Sequence, residues 1–285
     1  MQPFDSLDRL EQLSGLDPLA ARMRRLVQQI TATQDVRDLL HGVWLGHPLH
    51  PVLVQIPIGA WSSAAILDFV PRTGATVPLL IGTGMASAVP AAAAGYTDWS
   101  ALNPAEARTG LVHATANLTA VGLYGASLWA RLRGRRARGK MLALAGLTSA
   151  TVGGVIGGHL SYRRAAGANH NAQLPDVAPT DWTDVGRLDE LPDGKLIRRD
   201  VGTVPVLLLR RGGQVHAIAE QCSHLSGPLS EGQLVQEDGP CVVCPWHGST
   251  FRLTDGTVVH GPATAPQPVF HTRVLSEHVE VRIAS

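Results

Sequence analysis

The sequence predicts a multi-domain chain of α and β parts, an N-terminal four-helix transmembrane bundle followed by a small all-β domain. Three observations carry that prediction. Four apolar segments follow one another, at about 53–70, 76–96, 111–130 and 141–162, each approaching the ~20 residues needed to cross a bilayer core. Beyond Asp181 the apolar residues alternate with period two instead. Within that second part, Cys222-Ser223-His224 and Cys244-Pro245-Trp246-His247-Gly248 each pair one thiol with one imidazole.

Composition bounds the possibilities. The chain has 285 residues, room for about two domains. A net charge of +1 excludes the concentrated basic face of a nucleic-acid binder. Charged residues at 16% against hydrophobic ones at 45% favour a membrane component. Of three cysteines, two sit in the Cys/His stretches, which leaves no pair for a structural disulfide.

Residues 1–46 read as an amphipathic helical region. Phe4, Leu7, Leu10 and Leu13 recur every third residue, and Asp17 with Pro18 marks a helix start, Asp17 as its cap. Leu19, Met23, Leu26 and Ile30 then form an apolar stripe opposite Arg22, Arg24 and Arg25. Such a helix suits either the protein's own surface or the membrane interface. No apolar signal-peptide core precedes it.

Residues 47–163 hold the four predicted spans, rich in the small residues that let membrane helices approach closely, as at Gly153, Gly154, Gly157 and Gly158. The stretch His47-Pro-Leu-His50-Pro, with Pro57-Ile-Gly and Asp68, resembles a family of uncharacterised four-helix bacterial membrane domains over roughly 41–165. The loop from Arg131 to Lys140 is the most basic, so the positive-inside rule puts it in the cytoplasm and both termini outside. Residues 164–181, with Ala165-Ala-Gly-Ala-Asn-His-Asn and Leu174-Pro-Asp-Val-Ala-Pro, read as a linker in which His170 is solvated. Over 182–285, Val204–Leu209, the turn Arg210-Arg-Gly-Gly and Gln214–Ala219 spell a hairpin. Val269–Val274 and His278–Ile283 alternate as strands, and His216, His260, His271 and His278 on such stretches read as surface or core residues.

The two Cys/His stretches carry the chemistry. Zinc accepts Cys and His at these spacings, and Cys241 with Cys244 is itself a zinc-like pair unless Cys241 is a buried strand residue. A [2Fe–2S] cluster with one iron on two thiolates and the other on two imidazoles uses the same four residues. The residues C-S-H-L-S-G-P-L and C-P-W-H-G-S-T-F, together with Phe251, resemble the two cluster-binding boxes of the Rieske family. That resemblance implies Cys222 and Cys244 on one iron and His224 and His247 on the other, with Ser249, Trp246 and Phe251 around the cluster. Respiratory members carry an extra disulfide-forming cysteine in each box, where this chain has Gly227 and Trp246. The chain therefore looks like the ferredoxin-like branch, which needs no oxidising compartment. That opposes the charge argument, so the sequence establishes a multi-pass cell-membrane location but not which side carries the cluster.

The implied function is single-electron transfer by a membrane-anchored [2Fe–2S] protein, an oxidoreductase component working with a redox partner protein or a quinone. A quinol-oxidising or haem-containing redox subunit is the alternative, and a structural or redox-sensing iron–sulfur module a further one. Too few residues follow His247 for the catalytic domain of a Rieske oxygenase. Threading the spans alternately brings His47, His50, His113 and His159 to one side of the membrane. There they are candidates for a haem b or quinone site, since ionisable groups at that depth are functional candidates.

Overall fold

The computed structural model describes residues 6–284; Phe4 of the N-terminal periodicity lies outside them. Two helices precede the apolar region, α1 (Asp17–Ile30) and α2 (Gln34–His41). The apolar region holds α3 (Leu49–Leu53), α4 (Gln55–Leu67), α5 (Thr76–Trp99), α6 (Pro104–Leu132) and α7 (Arg136–Gly158), which runs on into a π turn at His159–Arg163. A short α8 (Leu174–Val177) precedes ten strands. The chain forms two compact units: the residues up to Ala32 with Leu49–Ala166, and Thr33–Pro48 with the residues from Gly167 onward.

In the helical unit, Leu49–Leu67, Thr76–Trp99 and Arg136–Arg163 are long and apolar enough to cross a membrane. Among the described residues three helices meet that measure of length and composition, where four were predicted. α6 has the length, 29 residues, but Glu106, Arg108, His113, Asn117 and Arg131 make it more polar. The first segment begins earlier than the hydropathy suggested and is interrupted at Val54. Pro57 has no N–H to offer the Leu53 carbonyl, one turn back, so the helical ladder breaks there. α6 starts on a true cap, the Asn103 side chain accepting from the Glu106 N–H at 3.0 Å.

Helix α1 packs on its own protein, with a different face from the expected one. Ala20, Met23 and Leu16 meet Trp99, Leu102, Ala107 and Leu111. Leu19, Leu26 and Ile30 are exposed instead, because small Ala20 lets the helix approach on the face one position round. Arg24 turns inward and donates to the Leu102 carbonyl at 2.7 Å. Asp17 is the first residue of the helix rather than its cap; Arg108 holds its carboxylate at 2.7 and 2.8 Å. That guanidinium keeps the Asp17 carboxyl below the usual carboxylate range.

A duplication organises the rest of this unit. Sixty-three residues separate His50 from His113, Trp61 from Tyr124 and Asp68 from Arg131, and the members of each pair meet one another. The histidine rings lie 6.3 Å apart between centres, Trp61 stacks on Tyr124 at 4.4 Å and 15°, and Asp68 bonds Arg131 at 2.8 and 2.5 Å. Sixty-two residues separate Gly84 from Gly146 and Gly95 from Gly157. A Cβ at Gly84 would strike the Trp61 ring at 2.2 Å, and one at Gly146 would press on Tyr124 at 3.1 Å. Equivalent residues meeting each other is the signature of a two-fold axis. Such an axis would relate the hairpin of α3, α4 and α5 to the hairpin of α6 and α7.

The second unit is all-β in its main part. A six-stranded antiparallel sheet comprises β1 (Thr183–Arg187), β2 (Leu196–Val201), β3 (Val204–Arg211), β4 (Gln214–Ala219), β9 (Val269–Leu275) and β10 (His278–Ile283), in the order β1-β10-β9-β4-β3-β2. A second sheet runs β5 (Gln233–Gln236), β6 (Pro240–Val243), β7 (Thr250–Arg252) and β8 (Val258–His260). The predicted β3–β4 hairpin forms with Arg211 opposite Gln214, across Gly212 at φ 60°. β3 is buried on both faces: Val206 and Leu208 enter one core, Leu207 and Leu209 the other. The second core also holds Val242, Phe251, Leu253, Cys222 and Cys244.

Two segments that the sequence assigned elsewhere, one as a linker, belong to this unit. The predicted linker is folded onto it: the His170 N–H donates to the Ser223 carbonyl at 2.9 Å, and buried Asn171 donates to the Gln221 carbonyl at 2.6 Å. The His170 side chain is exposed, as expected. Thr33–Pro48, predicted to go with the N-terminal helix, docks through α2. Asp38 accepts from the Gly261 N–H at 2.8 Å and meets His260 at 2.7 Å. The other His260 nitrogen lies 2.9 Å from Glu237. Both ring nitrogens face carboxylates, which favours the doubly protonated ring; burial works against the charge, but the two carboxylates prevail and raise the pKa. A raised folded pKa gives stability that is complete below about 6.5 and lost as pH rises through the folded value. The protection factors of amides 34–41, taken after correction for the intrinsic rise of exchange with pH, are accordingly expected to fall on going from pH 6 to pH 9, and a His260→Gln variant should lose that fall.

Candidate iron–sulfur centre

The two Cys/His stretches fold into matching loops, one following β4 and one between β6 and β7. In each, the cysteine N–H donates to a carbonyl five residues on, Cys222 to Gly227 and Cys244 to Ser249, both at 2.8 Å. In each, the N–H four residues on returns to the cysteine carbonyl, from Ser226 at 2.8 Å and from Gly248 at 3.1 Å. Closing so tight a loop needs a left-handed residue, and Ser226 (φ 60°) and Gly248 (φ 79°) supply it. The curl turns backbone N–H groups onto each sulfur: those of His224 and Leu225 onto Cys222, those of Trp246 and His247 onto Cys244.

The two thiols are buried and in hydrogen-bond contact. That mutual bond comes first in separating them: it lowers the Cys244 pKa and raises that of Cys222, with burial adding to the rise. The His224 and His247 rings stand perpendicular, 88°, with centres 5.1 Å apart. Burial, then His247, then His41 and His170 pull His224 down to about 3, which leaves a neutral imidazole with a lone pair to give. Two thiols and two imidazoles at one tip, with N–H donors on both sulfurs, fit a group that puts negative charge on sulfur and takes borderline nitrogen donors.

Ser249, Phe251 and Trp246 differ in exposure. Ser249 is buried and its Oγ accepts from the Ala263 N–H at 2.9 Å, which leaves its own proton to donate elsewhere. Phe251 is wholly buried in the core that holds both cysteines. Trp246 is 57% exposed beside His247. Cys241 turns the other way: its neighbour Val242 enters that core, while its own thiol lies 3.2 Å from the Glu237 carbonyl. Burial raises its pKa, as for an inert strand cysteine.

Gly227 is a position whose reason only the structure gives. A Cβ there would lie 2.8 Å from the Cys244 sulfur and 3.2 Å from the Trp246 ring. The two positions that lack the respiratory cysteines are therefore in contact. Gly227→Ala is expected to lower the iron content of purified protein several-fold with little loss of soluble yield, measured as iron per chain.

The membrane histidines do not converge as predicted. His47 belongs to the β-containing unit, where its Nδ1 lies 3.0 Å from the Pro48 carbonyl. His159 opens the π turn and faces Asp8 and Glu11 at 3.5 and 3.9 Å, carboxylates that Arg163 and Arg164 also hold. Only His50 and His113 meet.

Comparison with known proteins covers both units. Residues 181–271 match the Rieske [2Fe-2S] domain, and residues 46–170 match a predicted membrane protein domain, DUF2231. The ferredoxin subunit of anthranilate 1,2-dioxygenase from Burkholderia cepacia is 33% identical over 110 residues, 39% of this chain and 99% of that protein. Ferredoxin CarAc of Metapseudomonas resinovorans is 34% identical over 101 residues, covering 35% and 92%. Among solved structures, the ferredoxin of carbazole 1,9a-dioxygenase from Nocardioides aromaticivorans IC177 aligns at 27% identity over 35% of this chain and 96% of its own, with a TM-score of 0.33. The chain belongs to the Rieske [2Fe-2S] family through residues 181–271, and joins that ferredoxin-like domain to one that matches the predicted membrane protein DUF2231.

Proposed function

We propose that the protein is a multi-pass, membrane-anchored electron carrier whose [2Fe–2S] cluster is held by Cys222 and Cys244 on one iron and His224 and His247 on the other. The observation that carries this is the pair of matching loops, each presenting one thiol and one imidazole with N–H donors on its sulfur. The cluster supplies one-electron exchange. The chain's own residues fix its surroundings: backbone N–H groups stabilise charge on the cysteine sulfurs, Phe251 and Leu253 exclude water on the core side, and Trp246 stands at the exposed rim.

Two of the most similar relatives are named as ferredoxins, one of them a dioxygenase subunit. A redox partner protein that takes or gives one electron at the Trp246 rim is the partner this favours; a quinone is the second candidate. α6 serves as the fourth crossing, its polar side chains turned to its neighbours, and four crossings return the chain to the side it entered.

Ser249 remains as a hydroxyl donor beside the cluster, whereas Phe251 has none to offer. Fewer hydrogen bonds to sulfur stabilise the reduced state less. Redox titration of the full chain in detergent, followed by electron paramagnetic resonance, should give one [2Fe–2S] signal. Its midpoint should fall in the lower half of the Rieske span, which runs about −150 to +300 mV. Zinc in place of iron, or a cluster that cannot be reduced reversibly, would refute the carrier reading.

A further inference from the structure

We propose that His50 and His113 form a two-imidazole metal site within the helical unit, binding between their Nε2 atoms one transition-metal centre, either a free ion or the iron of a haem. Each ring is prepared as a ligand in the same way. His50 Nδ1 lies 2.8 Å from the Ala91 carbonyl, and His113 Nδ1 lies 2.8 Å from the Gly153 carbonyl. A carbonyl oxygen only accepts, so Nδ1 carries the proton on both rings and Nε2 carries the lone pair. Metal-binding histidines are oriented in this manner, donating their other ring N–H to a backbone carbonyl.

The spacing fits one shared centre. A metal about 2 Å from each of two imidazole nitrogens on opposite sides needs ring centres about 6 Å apart. The observed separation is 6.3 Å, with ring planes at 86°. Imidazole nitrogen suits iron, copper, nickel and zinc.

The duplication makes the arrangement a built one. In both hairpins a glycine stands four residues beyond the carbonyl that holds the ring, Gly95 after Ala91 and Gly157 after Gly153. A Cβ at Gly95 would lie 2.8 Å from His50 Nδ1, and one at Gly157 would lie 3.0 Å from His113 Cε1. Each ring thus occupies a notch that only glycine leaves open, and the two notches are related by the same axis. Asn117 is a further polar group beside the pair. Its amide donates to the His113 carbonyl at 2.9 Å and lies 3.2 Å from His113 Nε2, within reach of a water or ligand there. Two imidazoles do not fill a coordination sphere. A porphyrin completes it with four nitrogens; for a free ion, water and Asn117 are at hand.

The competing explanation is that the Nδ1 bonds merely lock α3 to α5 and α6 to α7. Asparagine separates the two, because its amide can reproduce the Nδ1–H donor while removing Nε2. The experiment uses the full chain, purified in detergent, as wild type, His50→Asn, His113→Asn and the double variant. Absorption spectra, metal content per chain and the cluster's paramagnetic signal are read on each sample, and each is also titrated with haemin and with Zn²⁺. A haem site gives a Soret band that both single variants lose. A free-ion site gives one equivalent of tightly held metal beyond the cluster iron, or one equivalent of Zn²⁺ taken up, again lost in both. In either case the cluster signal is unchanged, so this proposal and the cluster assignment fail independently. A wild type with no Soret band, no metal beyond the cluster, and uptake of neither haemin nor Zn²⁺ would overturn it. So would metal binding that survives in the folded double variant.

Discussion

Replacing any one of Cys222, His224, Cys244 and His247 with alanine is expected to abolish the visible absorbance and the paramagnetic signal of the cluster, while Cys241→Ser leaves both intact. The contrast rests on direction rather than distance along the chain. Cys241 is only three residues from Cys244, yet strand alternation in β6 sends its thiol toward the Glu237 carbonyl and away from the core that receives Cys222 and Cys244. Removing a thiolate or an imidazole leaves one iron short of a ligand. The β-containing unit should also become easier to unfold in the four ligand variants, because metal binding is coupled to folding. Guanidinium titration beside the spectra would show both effects in one set of samples. A Cys241→Ser protein without a cluster, with His224→Ala retaining one, would reverse the assignment.

How much of this was legible in the sequence follows from what each signal depends on. The two loops were legible because ligand spacing is local: both C-x-H and C-x-x-H lie within a single turn of chain. β9 and β10 were legible because period-two alternation survives in them, and the β3–β4 hairpin because Arg210-Arg-Gly-Gly marks its turn. The α1 face was not, because Ala20 and Val27 are weaker apolar signals than Leu19, Leu26 and Ile30, and packing chose the smaller side chains. Nor was the docking of α2, which depends on Asp38 meeting His260 and the Gly261 backbone, more than two hundred residues away. The linker's attachment hangs on Asn171, one polar side chain with no pattern around it.

The membrane histidines show a different failure. Counting them by side of the membrane grouped four, although two face elsewhere, His47 toward its own loop and His159 toward Asp8 and Glu11. A signal for the correct pair was present: the sequence around His50 repeats around His113 at a fixed offset, with Gly59 and Gly122, then Arg72 and Arg135, in step. A search for internal repeats would have selected His50 and His113 before any geometry was known.

The same axis yields the largest expected effect on stability. Asp68 and Arg131 occupy equivalent positions, and their side chains are only 8% and 10% exposed. The guanidinium meets both carboxylate oxygens, at 2.8 and 2.5 Å. It also reaches Ser127 at 3.2 Å, whose hydroxyl donates to the Gly139 carbonyl at 2.6 Å. This network ties the end of α4 to α6 and α7 around a fork-to-fork pair. Arg131→Ala or Asp68→Ala removes one partner and leaves the other charge buried, which costs about 3–5 kcal/mol. Because the two positions are related by the two-fold, exchanging the residues keeps the pair across the axis. The double variant Asp68→Arg with Arg131→Asp is therefore expected to recover a large part of the stability lost in the single variants. The loss of the Ser127 bond sets what is not recovered. Thermal unfolding of the four proteins in one detergent gives the coupling directly. An exchanged double variant no more stable than the singles would mean that the surroundings distinguish the two sides, and that the axis is one of backbone alone.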